Sequence, residues 1–384
     1  MDKKLLYSHE LEDFTQKEKL LISLLFGKEI TKQDIDILTN NLNVYKENQS
    51  YILLLSYLGF RYNWKFFPEE IISKIKETNN IYKLRSILNM SWFIEKIRAL
   101  NHANIPVMLL KGLALKYHYA VGYTRMMFDF DIAVPESKYK EAINLLKDKN
   151  SVYNGEVTYY HGEIKCGIKR LDVHWWLFKN NGEKGTDIWE KAKQIDFFGT
   201  KVYVMCPQDM FIHQLDTRSR DVFSGEHVDR RLNWVFDCRC ILDFMENFSM
   251  KEIYSRAGEF SATYSVRYLL PLFSKCFPNL MDKKEIEHLF PYPKKYKLWL
   301  KINKKYNKLI VDYNNEYQDD LAGSLTPVRF FKGIRVYIIS YRLWCLEKNL
   351  SIFSFPKYCK EILRVNSIAD LWKKYIVRIR FVEW

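Results

Sequence analysis

The chain lacks the cysteine pattern that a disulfide framework or a zinc site would need. Its seven Cys are scattered, with no C-x-x-C, and Cys238 and Cys240 form only a C-x-C inside a helical pattern. This usage points to free, buried thiols in a reducing compartment. Long apolar runs are also missing. The longest uncharged one, around Tyr51–Phe60, falls short of the roughly 20 residues a membrane span needs. The opening MDKKLLYSHELEDFTQKEKL carries acidic residues where a secretion leader would need an apolar core. A soluble, cytoplasmic protein is therefore expected. No internal repeat, low-complexity linker or long basic block interrupts the chain. The net charge of +14 and pI of about 9.2 are spread over short KK, RR and KKYK clusters. The surplus is compatible with a polyanionic partner. A Lys-, Ile-, Asn- and Tyr-rich composition gives the same surplus without one, so the charge is weak evidence.

What is present is ample material for folding. The 384 residues are 48% hydrophobic and 16% aromatic, enough for two or three lobes with their own cores. From the start to residue 104, segments such as YILLLSYLGF and IYKLRSILNMSWFIEKIRAL repeat apolar residues at helical spacing. At Ile105 the pattern changes. IPVMLL reads as a strand, LALKYHYAV as a helix and FDFDIAV as a strand closed by Pro135. ESKYKEAINLLKDK reads as an amphipathic helix, and VTYYHGEIKC and IKRLDVHWWLF as strands joined at Gly167. QIDFFGTKVYVM reads as a hairpin turning at Gly199–Thr200, and helical spacing resumes at Pro207. The expected fold is α+β: a small mixed β-sheet core over 105–206, between helical regions at 1–104 and 207–384.

Three carboxylates stand out in the core. Alternate residues of a strand share a face, so Asp129 and Asp131 of FDFDIAV point the same way. Two like charges side by side call for a cation, and Asp172 in LDVHW adds a third acid on another strand. A divalent metal, Mg²⁺ or Mn²⁺, held by Asp129, Asp131 and Asp172 suits nucleotidyl transfer, with Asp172 also placed to help accept the nucleophile's proton. Gly112, at a strand-to-helix junction, lets backbone approach phosphates at a helix start. Lys111 and Arg125 are candidate phosphate contacts, the latter through its planar fork. His174 shares a face with Asp172 and is read either as an outlying ligand or, more simply, as a packed histidine. Of Trp175 and Trp176, one must face the core, and the other is available to stack on a base.

VMLLKGLAL, YTRMMFDFDIAV and LDVHWW together resemble a bacterial family of uncharacterised nucleotidyltransferases within the DNA polymerase β-like superfamily. Pro207–Asp209, His213 and RRLNWVFD (Arg230–Asp237) extend the likeness, which covers about residues 100–245. The resemblance implies a nucleotidyltransferase fold and metal-dependent transfer of NMP from an NTP, ATP first among them, with release of pyrophosphate. It implies the superfamily roles for Lys111, Gly112, Asp129, Asp131 and Asp172. His213 and Asp216 become second-rank nucleotide contacts on a helix covering the site. One departure is clear: the usual G-S or G-G after the first strand is Lys111–Gly112–Leu113, without the phosphate-cradling serine. The resemblance does not choose the acceptor among small molecule, peptide, sugar, protein side chain and RNA end. Two other readings stand beside it: a non-catalytic nucleotide-binding interaction protein, and an enzyme or toxin acting on nucleic acid.

Overall fold

The computed structural model describes residues 14–27, 29–45, 47, 49–116, 119, 125, 129–147, 151–158, 161–178, 186–224, 231–245, 248–277, 280–281, 283–289 and 302. Two short helices open it, α1 (Gln16–Leu25) and α2 (Lys32–Thr39). Each starts with a reciprocal capping box, Thr15 with Glu18 and Thr31 with Asp34, so the first-turn N–H groups are satisfied by sequence-local side chains. Helix α3 (Gln49–Arg61) is buried at every residue from Ser50 to Gly59, as a helix apolar on all sides must be. Helix α4 (Glu69–His102) runs 34 residues from an N-cap at Pro68 with two Glu in its first turn, which suits the helix dipole. Its burial is uneven. Thr78 and Met90 are buried and no residue between them is, and Ile81, Leu84, Ile87 and Leu88 are exposed there.

The sheet follows. Its strands are β1 (Met108–Leu109), β2 (Phe130–Ala133), β3 (Val152–Thr158), β4 (His161–Cys166), β5 (Lys169–His174), β6 (Lys193–Phe197) and β7 (Thr200–Val204). Their order across the sheet is β3-β4-β5-β2-β1-β7-β6. Strand β2 lies parallel to β5 and β1 parallel to β7, while the remaining neighbours are antiparallel, giving the mixed sheet expected from the sequence. All four residues of β2 are buried, the mark of a central strand. The connecting helices are α5 (Lys111–Leu115), α6 (Tyr139–Leu146) and α7 (Thr186–Lys191). The segment VTYYHGEIKC, read as one strand, is divided between β3 and β4, which pair with each other. A period-2 pattern alone does not show where a strand folds back. The β6–β7 hairpin turns through Phe198 and Gly199, both at positive φ (53° and 75°). Two left-handed residues match the twist of a tight hairpin, and glycine takes one of them without strain.

The described part of the last region is helical: α8 (Pro207–Ser224), α9 (Arg231–Asp243), α10 (Met250–Glu259), α11 (Thr263–Cys276) and α12 (Lys283–Leu289). Pro207 takes the first helical position, where its missing N–H costs nothing. Arg256 of α10 clamps this bundle to the core. Its Nε and Nη2 donate to the fully buried Asp209 of α8 at 2.7 and 2.8 Å, and Nη1 to Asp187 of α7 and to Glu259. The same guanidinium lies 4.2 Å over the Phe260 ring, which stacks on Phe178 at 4.2 Å just beyond β5. The C-terminal WKKYIVRIRFVEW lies outside the described residues.

Phe93 joins the helical and sheet layers. It projects from α4, is fully buried, stacks on Phe130 of β2 at 4.5 Å and meets Phe197 of β6 edge-on at 6.1 Å. Phe93→Ala is expected to cost about 3–5 kcal/mol in urea unfolding. Leu84→Ala, in the exposed stretch of α4, is expected to stay within about 0.5 kcal/mol.

Candidate functional site

The sheet brings two of the sequence-predicted acids together. Parallel pairing of β2 with β5 sets Asp131 directly opposite Asp172, and Ala133 opposite His174. Residues in register share a face, so both carboxylates project from the same side of the sheet. Phe130 projects to the other side, against Phe93. The Leu110 N–H donates to the Asp131 carbonyl at 3.0 Å, tying the approach to α5 to the same strand. Asp131, Asp172 and His174 each offer a ligand atom, and these atoms all lie within 4.8 Å of one another.

Lys111, the first residue of α5, answers this acidity. Its ammonium pairs with Asp131 Oδ1, and the same oxygen lies 3.1 Å from His174 Nε2. The Lys111 backbone sits at φ 47°, a left-handed conformation that a side-chain-bearing residue adopts only at some cost. Burial acts to lower the Lys111 pKa, but the charges of Asp131, Asp129 and Asp172 overcome it and hold the ammonium above its usual range. Burial likewise acts to raise the Asp131 carboxyl, and Lys111 with His174 holds it well below the ordinary carboxylate range. Asp172 shows the opposite balance. Burial, and then the Asp131 charge, push it up to about 8.

The other predicted residues take varied places. Asp129 is half-buried in the bend before β2, one residue short of the strand, and lies outside the triplet of potential ligands. Its charge still acts on Lys111 and Asp172. Gly112 has a clear steric reason: a Cβ there would collide with the Arg125 guanidinium. That guanidinium is bound to Asp237 of α9, with Nε at 3.2 Å and Nη2 at 2.9 Å from Oδ2, and Asp237 also accepts from the Tyr119 hydroxyl at 2.6 Å. Asp237, fully buried, is thus the ion-pair partner of Arg125 and, through the guanidinium set against Gly112, ties α9 to the first turn of α5. Helix α5 has only five residues, too few for a strong dipole, so side-chain charge dominates here. His213 is buried in α8, with its ring edge-on to Phe178 at 5.6 Å, and Asp216 is buried on the same helix. Trp175 stacks on Tyr139 at 4.3 Å and Trp176 is buried. Arg230 and the Arg231 side chain lie outside the described residues. His174, a packed histidine on its sequence setting, here joins the two acids, and its alternation with Asp172 is the sequence signal of that.

A family's sequence profile, described as uncharacterised nucleotidyltransferase, matches residues 36–278, well over half of the chain. The chain belongs to the uncharacterised nucleotidyltransferase family. The match spans α3 to α11 and so takes in the whole sheet and every site residue described above. Among solved structures, the antibiotic-resistance factor ANT(2'')-Ia aligns at 14% identity and a TM-score of 0.34, over 46% of this chain and 94% of its own. JHP933 from Helicobacter pylori aligns at 14% identity and a TM-score of 0.28, over 62% and 97%. Likenesses this loose guide the placement of no residue. No curated protein matches. Among the described residues of this nucleotidyltransferase family member, no helix is long and apolar enough to cross a membrane.

Two outcomes follow from the geometry. Gly112→Ala is expected to evict the Arg125 guanidinium and leave Asp237 without its cation, lowering stability by up to about 3 kcal/mol in urea unfolding. Asp172 concerns pH. Its folded value lies above its unfolded one, so the native state keeps a proton that the unfolded chain has lost between about pH 4 and pH 8. Stability of the metal-free protein therefore falls as pH rises through that window. Asp172→Asn is expected to flatten that part of the slope, as measured by urea unfolding in EDTA across pH 5 to 8.

Proposed function

We propose that this nucleotidyltransferase moves NMP from an NTP, ATP first among the candidates, onto an acceptor, using a divalent metal and releasing pyrophosphate. The observation that supports this reading is the forced side-by-side placement of Asp131 and Asp172. Setting a second carboxylate opposite the buried Asp131 is unfavourable unless a cation shares them or one of them keeps a proton. The donor set of two carboxylates and an imidazole suits Mn²⁺ and, for its oxygen part, Mg²⁺. Asp129, at the entrance to β2, is proposed as a third acidic ligand beside them. When bound, such an ion lowers the pKa of an attacking group and neutralises charge on the phosphates.

The protein's own groups would do the rest. Asp172, which a bound ion would hold ionised, is proposed to help accept the proton of the attacking hydroxyl. Lys111 and Arg125 are proposed to meet the phosphates, with Gly112 leaving room for the guanidinium to lie close to the α5 start. His213 is proposed to contact the nucleotide from the helical side, within a division of the chain at residues 104 and 206. The acceptor class stays open among small molecule, peptide, sugar, protein and RNA end.

The test incubates labelled NTPs with cell extract and purified protein. Wild type should label one acceptor class and release pyrophosphate. Asp131→Asn and Asp172→Asn should each cut the rate by at least about a hundredfold, the lower end for losing one group that stabilises developing charge. Tight nucleotide binding without turnover in any extract would sink the catalytic reading and favour a non-catalytic nucleotide-binding protein. Labelled RNA ends with a steep salt dependence would favour the nucleic-acid reading.

A further inference from the structure

The carboxylate pair already has a cation, and it is part of the chain. We infer that Lys111 is an internal counter-ion occupying the cation position beside Asp131, and that a divalent ion must displace it to bind. This rests on the reading of Asp131 and Asp172 as metal ligands, and it adds a competition that the reading alone does not contain.

Three observations carry it. The Lys111 ammonium is bonded to Asp131 Oδ1, a ligand atom of the only described triplet of potential metal donors. That oxygen is shared with His174 Nε2 at 3.1 Å, so the ammonium and the imidazole both bear on the one Asp131 oxygen an ion would use. The Lys111 side chain keeps 26% exposure against 5% for Asp131, so it has a way out of the site that Asp131 does not have. A lysine is suited to such exchange. Its ammonium is a compact charge on a flexible stem, with no fixed bidentate geometry to give up. Once displaced, the ammonium would be free to pair with a phosphate oxygen of the nucleotide instead. Lys111, at a strand-to-helix turn that lacks the phosphate-cradling serine, would then serve both states: counter-ion when empty, phosphate contact when loaded.

The competition is measurable without turnover. Mn²⁺ is titrated into metal-free, nucleotide-free protein and free Mn²⁺ is read by electron paramagnetic resonance. Lys111→Met keeps the length of the side chain and removes its charge. It is expected to bind Mn²⁺ about tenfold more tightly than wild type, equivalent to about 1.4 kcal/mol of relieved competition. Asp131→Asn is expected to lose binding. Equal affinity in wild type and Lys111→Met, with Asp131→Asn still defective, overturns the exchange and leaves the metal reading standing. Absence of Mn²⁺ binding in all three overturns both. A second measurement needs no variant. Wild type is treated with an amine-acylating reagent with and without saturating Mn²⁺, and Lys111 modification is read by peptide mass spectrometry. Protection without metal and labelling with it support displacement; unchanged protection overturns it.

Discussion

Everything at the candidate site depends on one register. Because β2 and β5 run parallel with Asp131 opposite Asp172, two carboxylates meet on one face of the strand pair. In water they would separate; here the backbone ladder holds them. Their environments then diverge. Asp131 receives the Lys111 ammonium and the His174 ring and is kept ionised, whereas Asp172 is left with burial and a like charge and is pushed towards its protonated form. A single pairing thus produces an asymmetric pair, one acid committed to holding positive charge and the other poised to exchange a proton.

The register is itself held from behind. Phe130, between Asp129 and Asp131, faces away from the acids and stacks on Phe93 of α4. A one-residue slip of β2 would carry Asp131 into that aromatic contact and Phe130 towards the carboxylates, which packing forbids. On the other flank, Phe178 beyond β5 stacks on Phe260, which Arg256 covers while bonding to Asp209. The helices on either side are therefore the fixtures that hold the strand ends carrying the acids.

Much of this was legible in the sequence. The switch from helical to strand spacing at Ile105, the hairpin at Gly199 and the Pro207 helix start rest on local patterns that the structure repeats. Other features were not legible, for identifiable reasons. That Asp131 rather than Asp129 sits in the strand opposite Asp172 depends on where pairing begins, which alternation alone does not mark. The partnership of Arg125 with Asp237 joins residues 112 positions apart, and Gly112 owes its small size to that distant pair, not to anything beside it in the chain. His174 looked like an ordinary packed histidine because its partner, Asp131, comes from a different strand.

Helix α4 has a mechanical meaning. At about 1.5 Å per residue its 34 residues form a rod of about 51 Å. It has buried residues towards both ends and none between Thr78 and Met90. A rod held this way does not absorb a push along its length. A shift of the helices packed against its first turns would act through that rod on Phe93, and through the ring stacked on it on the strand that carries Asp131.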